Sequence, residues 1–336
     1  MKKILTVLLA TLMVVSLFAF VGCGNDAGNE AEATLKLGLG VSISGSATDA
    51  ADTAGNDQLT VTAAAVLVDD AGKIVKAFID CADSKVGHTA DGKAVVTESF
   101  KTKYELGANY GMTNRAYGGT ATKEWFEQAD AFCALLVGKT AAEVKALVAE
   151  DFKGTADVQA AGCTIYVSDF AKAVEKAINN AVASNATAND TLKLGVATSQ
   201  TATDATAEAK GSNKIETYLF AAAVNAEGKI VAASSDCIEA TFEFDATGKT
   251  AFDASAQILS KKEKGDNYGM TNPAYGGTAT KEWYEQAAAF DAACLGKTAS
   301  EVAGLMGADY KGNADVQAAG CTIYVSGFVK AASKIG

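Results

Sequence analysis

Residues 109–132 read NYGMTNRAYGGTATKEWFEQADAF, and residues 267–290 read NYGMTNPAYGGTATKEWYEQAAAF, identical at 21 of 24 positions. Residues 153–170 and 311–328 agree at 16 of 18, again 158 residues apart. The openings correspond too: Thr34-Leu35-Lys36-Leu37-Gly38 with Thr191-Leu192-Lys193-Leu194-Gly195. A period this long is a duplicated domain, not a solenoid repeat. It divides the chain into 34–184 and 191–336, with 185–190 as a polar linker, and each copy is expected to carry its own core.

Working outward from the repeat, Leu59–Val68 and Lys73–Cys81 are runs of strand-forming residues joined by Asp69-Asp70-Ala71-Gly72, which predicts a hairpin. The second copy repeats it around Asn225-Ala226-Glu227-Gly228. Past the hairpin, Trp125, Ala129, Phe132 and Leu136 recur at helical spacing, and Gly138 ends that helix. Thr140 is expected to cap a helix over 141–149, Cys163–Val167 to form a short buried strand, and Ser168 to cap a last helix over 169–183. Strands first and helices later predict an α+β class: two tandem copies, each an antiparallel, hairpin-containing sheet packed by helices.

The N-terminus has Lys2 and Lys3, an apolar run from Ile4 to Phe20, and Val21-Gly22-Cys23. That order is a secretory leader. Placement of Gly22-Cys23 resembles a bacterial lipobox. The resemblance implies that 1–22 is removed, that Cys23 is acylated, and that 23–33 is a tether on the outer face of the cytoplasmic membrane. No other stretch is long and apolar enough to span, since 61–78 is broken by Asp69, Asp70 and two lysines.

Net charge is −11, and loss of Lys2 and Lys3 takes it to −13. Such a surface repels phosphate backbones, so nucleic acid is not expected as a partner. The sequence has one histidine, His88, with no histidine opposite it in the second copy. It is expected at the surface, and no metal site is expected. Neither a Walker loop nor His-Glu-x-x-His, Gly-x-Ser-x-Gly or Cys-x-x-Cys occurs. A binding or carrier protein is favoured over an enzyme.

Three features could carry chemistry. Tyr117-Gly118-Gly119-Thr120, with its twin at Gly276 and Gly277, precedes a helix. It reads either as an anion cradle, walled by Tyr110, Met112 and Tyr117, or as a tight turn with Thr122 as cap. Cys81 corresponds to Cys237 and Cys163 to Cys321. Outside the cytoplasm each pair could be one disulfide, or all four could be buried thiols. Finally, Asp157-Val158-Gln159-Ala160-Ala161-Gly162-Cys163-Thr164 recurs as Asp315 to Thr322.

This last segment, with the Gly72-Lys73-Ile74 and Gly228-Lys229-Ile230 hairpins, resembles the FMN-binding domain family, whose signature is Asp-x-x-Ser/Thr-Gly-Ala-Ser/Thr. Asp157, Gly162 and Thr164 match its Asp, Gly and acceptor, as do Asp315, Gly320 and Thr322, with the Asp in each copy one residue farther from the threonine than the signature has it. Ala161 and Cys163 stand where the family has Ser/Thr and Ala. The resemblance implies FMN esterified to Thr164 and Thr322 by a flavin transferase, and a lipid-anchored electron carrier with a redox partner. The alternative is a non-catalytic surface lipoprotein that binds a protein, a peptide or a wall component.

Overall fold

A computed structural model of the chain describes residues 33–336. The leader and Cys23 lie outside the described residues. Repeat 1 opens with three long strands, β1 (Leu35–Thr48), β2 (Gly55–Val68) and β3 (Ile74–His88), then the short β4 (Ala94–Val95). Helices α1 (Lys103–Leu106), α2 (Trp125–Leu136), α3 (Ala141–Lys145), α4 (Ala156–Ala160) and α5 (Ser168–Asn179) follow, then β5 (Val182–Ala186). Repeat 2 has β6 (Thr191–Thr203), β7 (Gly211–Val224) and β8 (Ile230–Phe244). Its helices are α6 (Lys261–Lys264), α7 (Trp283–Cys294), α8 (Ala314–Ala318) and α9 (Ser326–Ala332). The sheets are antiparallel, ordered β4-β3-β2-β1-β5 and β6-β7-β8. The class is α+β, as expected.

The hairpin turn is where the sequence put it: Gly72 has φ 73°, and the Asp69 N–H donates to the Lys73 carbonyl at 3.0 Å. One face of each sheet takes helices. In repeat 1, Val66, Val68, Ile74 and Ile79 meet Trp125, Phe132, Leu136 and Val174. Gly38 of β1 and its twin Gly195 let the last helix come down on the sheet, because a Cβ at either would lie 1.9 Å from the Ala177 or Ala331 carbonyl oxygen.

Each copy has its own helix–sheet core, and the two also share a third core between their sheets. The remaining face of each sheet is also apolar, and the two faces bury each other: Leu37, Leu39, Leu59 and Val61 share a single cluster with Leu194, Val196, Leu219 and Ile238. The result is a four-layered body, helices, sheet, sheet, helices. β1 lies against β8 and β3 against β6, as a two-fold relation between the copies requires. Backbone bonds at the rim obey the same symmetry, Ala50 N–H to the Gly248 carbonyl and Ala205 N–H to the Gly92 carbonyl, each 2.8 Å. Alternation made each strand two-faced, but the helices available per copy cover only one face. The second copy covers the other.

Three local expectations are corrected. The 185–190 linker belongs to the body: β5 pairs with β1, Ala186 is fully buried, and Asp190 accepts the Thr187 N–H at 2.7 Å. Cys163–Val167 is an extended loop with a single bridge, Lys153 to Tyr166, because no strand lies alongside to extend the pairing. The helix expected over 141–149 stops at Lys145, and the last one begins at Ser168 and ends at Asn179.

Candidate functional site

The Gly162–Thr164 turn is built by the start of α2. Gln128, 1% exposed, accepts the Thr164 N–H at 2.8 Å and its Oγ1–H at 3.1 Å through Oε1, and donates through Nε2 to the Lys123 carbonyl at 3.0 Å. Gln286 holds Thr322 identically, at 2.8 and 2.9 Å. Both threonines are exposed, while Cys163 and Cys321 beside them are fully buried. Gly162 has φ 99° and Gly320 φ 101°, a region closed to most side chains. A Cβ at either would also strike the Lys123 or Lys281 ammonium, 2.2 Å away, so one lysine lies across each turn. Asp157 and Asp315 are exposed in the first turns of α4 and α8. Gln128 and Gln286 escaped the motif reading; the signal was their identity in the two blocks.

The Gly118-Gly119 loop resolves as a turn. Gly118 has φ 77° and Gly276 φ 74°. Gly119 and Gly277 pack with no room for a Cβ, which would sit 2.5 Å from the Met112 or Gly269 carbonyl oxygen. Thr122 does not cap the following helix. Glu124 is the N-cap residue, in a capping box with Glu127, which accepts the Glu124 N–H at 2.8 Å, and the Glu124 carboxylate also accepts the Met112 and Thr113 N–H groups of the preceding loop at 3.0 Å each. Glu282 does the same for Met270 and Thr271, at 3.0 and 2.9 Å. Hydrogen bonds from the Thr113 hydroxyl and N–H hold the Glu124 carboxyl below its usual range, so this helix start already carries a carboxylate and repels phosphate. In repeat 2 the counterpart of Tyr117, Tyr275, is 77% exposed, while Tyr268 and Met270 pack against the core.

The proposed disulfides are absent: Cys81, Cys163, Cys237 and Cys321 are free, as are Cys133 and Cys294. The loops that hold Cys163 and Cys321 are fixed to α2 and α7 through Gln128 and Gln286. Burial pushes the Cys81, Cys163 and Cys321 thiols up to about 11, and raises those of Cys133, Cys237 and Cys294 as well. None of the six should therefore react with iodoacetamide at pH 8 in the native state, whereas all six should in denaturant. Intact mass after a timed pulse reads this; fast native labelling of Cys81 or Cys163 would contradict it.

Asp80 on β3 anchors α1, accepting the Cys81 N–H at 2.6 Å and the Tyr104 N–H at 3.1 Å. Asp236 plays the same part for Cys237 and Lys262. Burial outweighs these bonds and pushes the Asp80 carboxyl up to about 6. Its native form thus holds a proton more tightly than the unfolded chain. The stability it contributes is complete below about pH 4 and is lost as pH rises through 6, by about 3 kcal/mol at most. Asp80→Asn should flatten that part of the pH–stability curve in urea titrations; an unchanged slope would rule Asp80 out as its source.

His88 is not at the surface. It is fully buried between the sheets, Nδ1 3.1 Å from Asp57 Oδ2 and Nε2 3.1 Å from the Gly248 carbonyl oxygen. Among the described residues no group of acidic, His and Cys side chains could hold a metal, and no helix is long and apolar enough to cross a membrane.

A groove of about 730 Å³ opens between the copies, floored by Leu37, Leu39 and Val41 of β1 and walled by β8 and α7. Its polar end holds Ser234, Asp236, Lys262 and Asp291.

No protein-family model matches this chain, and no solved structure does. Chlorophenol reductase of Desulfitobacterium hafniense is similar to part of it, 36% identical over 103 residues, which is 27% of this chain. The chain spans about a third of that protein's length, 31%.

Proposed function

We propose that the protein is a lipid-anchored carrier outside the cytoplasmic membrane, holding flavin at one threonine turn per repeat and passing electrons to a redox partner. The observation that carries this reading is the exposed, Gln-fixed hydroxyl of Thr164, repeated at Thr322, beside a buried cysteine. Cys163 faces the core, and its neighbour Thr164 faces solvent. The residues fit a phosphoester. Gly162 leaves room for Lys123 to lie across the turn, its ammonium 3.4 Å from the Ala161 carbonyl oxygen, which puts a cation in the same turn as the hydroxyl. Bound flavin would supply one- and two-electron redox chemistry; the protein supplies attachment, orientation and charge. Similarity to a protein named as a reductase is in keeping with this.

The test is co-expression with a flavin transferase, followed by intact-mass measurement. The wild type should gain one FMN per repeat and the Thr164→Val, Thr322→Val double variant none. Wild-type protein without flavin, by mass and by absorbance, would refute the reading. In its place would stand a non-catalytic surface binder, the reading that the inter-repeat groove favours.

A further inference from the structure

The groove exists because repeat 2 has lost side chains that fill the equivalent space in repeat 1. Strand register aligns Cys81 with Cys237, and so Lys76 with Ala232 and Phe78 with Ser234. The helix blocks align Tyr104 with Lys262 and Cys133 with Asp291. In repeat 1, Phe78 packs on Tyr104 with ring centroids 4.9 Å apart, and the Lys76 ammonium reaches the Asp190 carbonyl. In repeat 2 the same positions are small or polar, which leaves the cavity between the copies. Symmetric contacts around it are kept: Lys176 pairs with Glu263, and its counterpart Lys334 pairs with Glu105 at 2.7 Å.

The replacements also install charge. Asp291 is 7% exposed; its Oδ2 accepts the Ser235 N–H at 3.0 Å, while its Oδ1 has no hydrogen-bond partner among the described residues. Lys262 donates to Ser234 Oγ at 3.0 Å and stands 3.8 Å from Asp291 Oδ2, too far for a hydrogen bond. Asp236, 5% exposed, is the second carboxylate at this end. Glu263 already has Lys176. When ionised, the two buried carboxylates thus face one ammonium, leaving one negative charge uncompensated at the head of an apolar cleft. Burial raises both carboxyls, the cost an arriving cation would relieve.

We infer that the inter-repeat groove binds a small organic amine, its apolar body on Leu37, Leu39 and Val41 and its ammonium beside Asp291. A volume of about 730 Å³ suits one ring system or a short chain. The site is separate from the threonine turns and stands whether or not flavin is attached.

Calorimetry on the purified full chain at pH 7 tests this with tryptamine, phenethylamine and hexylamine as probes, against 3-ethylindole and indole-3-propionate. At least one amine should bind one per chain, with the neutral and anionic indoles at least tenfold weaker than tryptamine. Asp291→Asn should weaken the amine at least tenfold and leave 3-ethylindole unchanged. Ser234→Phe with Lys262→Tyr, which restores the pair found in repeat 1, should abolish binding while the melting temperature holds or rises. No saturable binding by any of the three amines, preference for the anion, or undiminished binding in the filled variant would each overturn the assignment. Flavin content, measured on the same samples, reports on the threonine turns independently.

Discussion

Repeat 1 expressed alone, as residues 33–190, should not unfold cooperatively as a monomer. Its inner sheet face carries Leu37, Leu39, Val41, Leu59, Val61 and Leu67, all buried by repeat 2. Leaving a buried Leu or Val exposed costs about 1.5–3 kcal/mol. Six such losses are comparable to the whole stability of a domain, about 5–15 kcal/mol. A contiguous apolar face of this kind also recruits other surfaces. The fragment should therefore aggregate or pair with a second copy of itself, and regain a cooperative transition when residues 191–336 are supplied in trans. Sedimentation and thermal melting decide the matter. A monomeric fragment with a sharp transition would show that the shared layer is dispensable.

His88→Phe should lower stability by about 1–3 kcal/mol, the cost of leaving a buried polar group without its hydrogen-bond partner. His88 and Phe244 occupy equivalent positions on β3 and β8, and they stack across the copies with centroids 4.5 Å apart and planes 3° from parallel. Asp57 and Asn213 are likewise equivalent, and Asn213 Nδ2 donates to Asp57 Oδ2 at 2.8 Å. Near the relation between repeats, one copy is thus Asp and His and the other Asn and Phe. Asp57 Oδ1 has no partner among the described residues, and burial raises the carboxyl against the bonds from Asn213 and His88. Removing the imidazole leaves Asp57 with Asn213 alone. Adding Asp57→Asn, which makes repeat 1 resemble repeat 2, should recover most of the loss. Urea unfolding of the two single variants and the double variant closes the cycle. Additive losses would show that the two side chains act separately.

Local sequence chemistry determined a good deal of this protein. Asp69-Asp70-Ala71-Gly72 specified its turn because only a glycine enters φ 73° cheaply, and Trp125, Ala129, Phe132 and Leu136 specified a buried helix face by spacing alone. Thr164 is exposed beside the buried Cys163, in a loop where a short strand was expected. Repetition fixed the number of copies and marked Gln128 and Glu124 before any role for them was visible. What local chemistry left open was everything that depends on which surface meets which. Each copy read alone carried its own strands and helices, so a separate core was expected for each, and the core shared between the sheets was not. Likewise a lone histidine in a polar-looking strand end carried no sign that Phe244 would lie on it from 156 positions away. The groove is of the same kind: Ala232, Ser234 and Asp291 are unremarkable substitutions in sequence. They become a cavity with an uncompensated carboxylate only when β1 of the other copy forms its floor. Pairing of faces far apart in the chain is decided by long-range burial, and burial leaves no local trace.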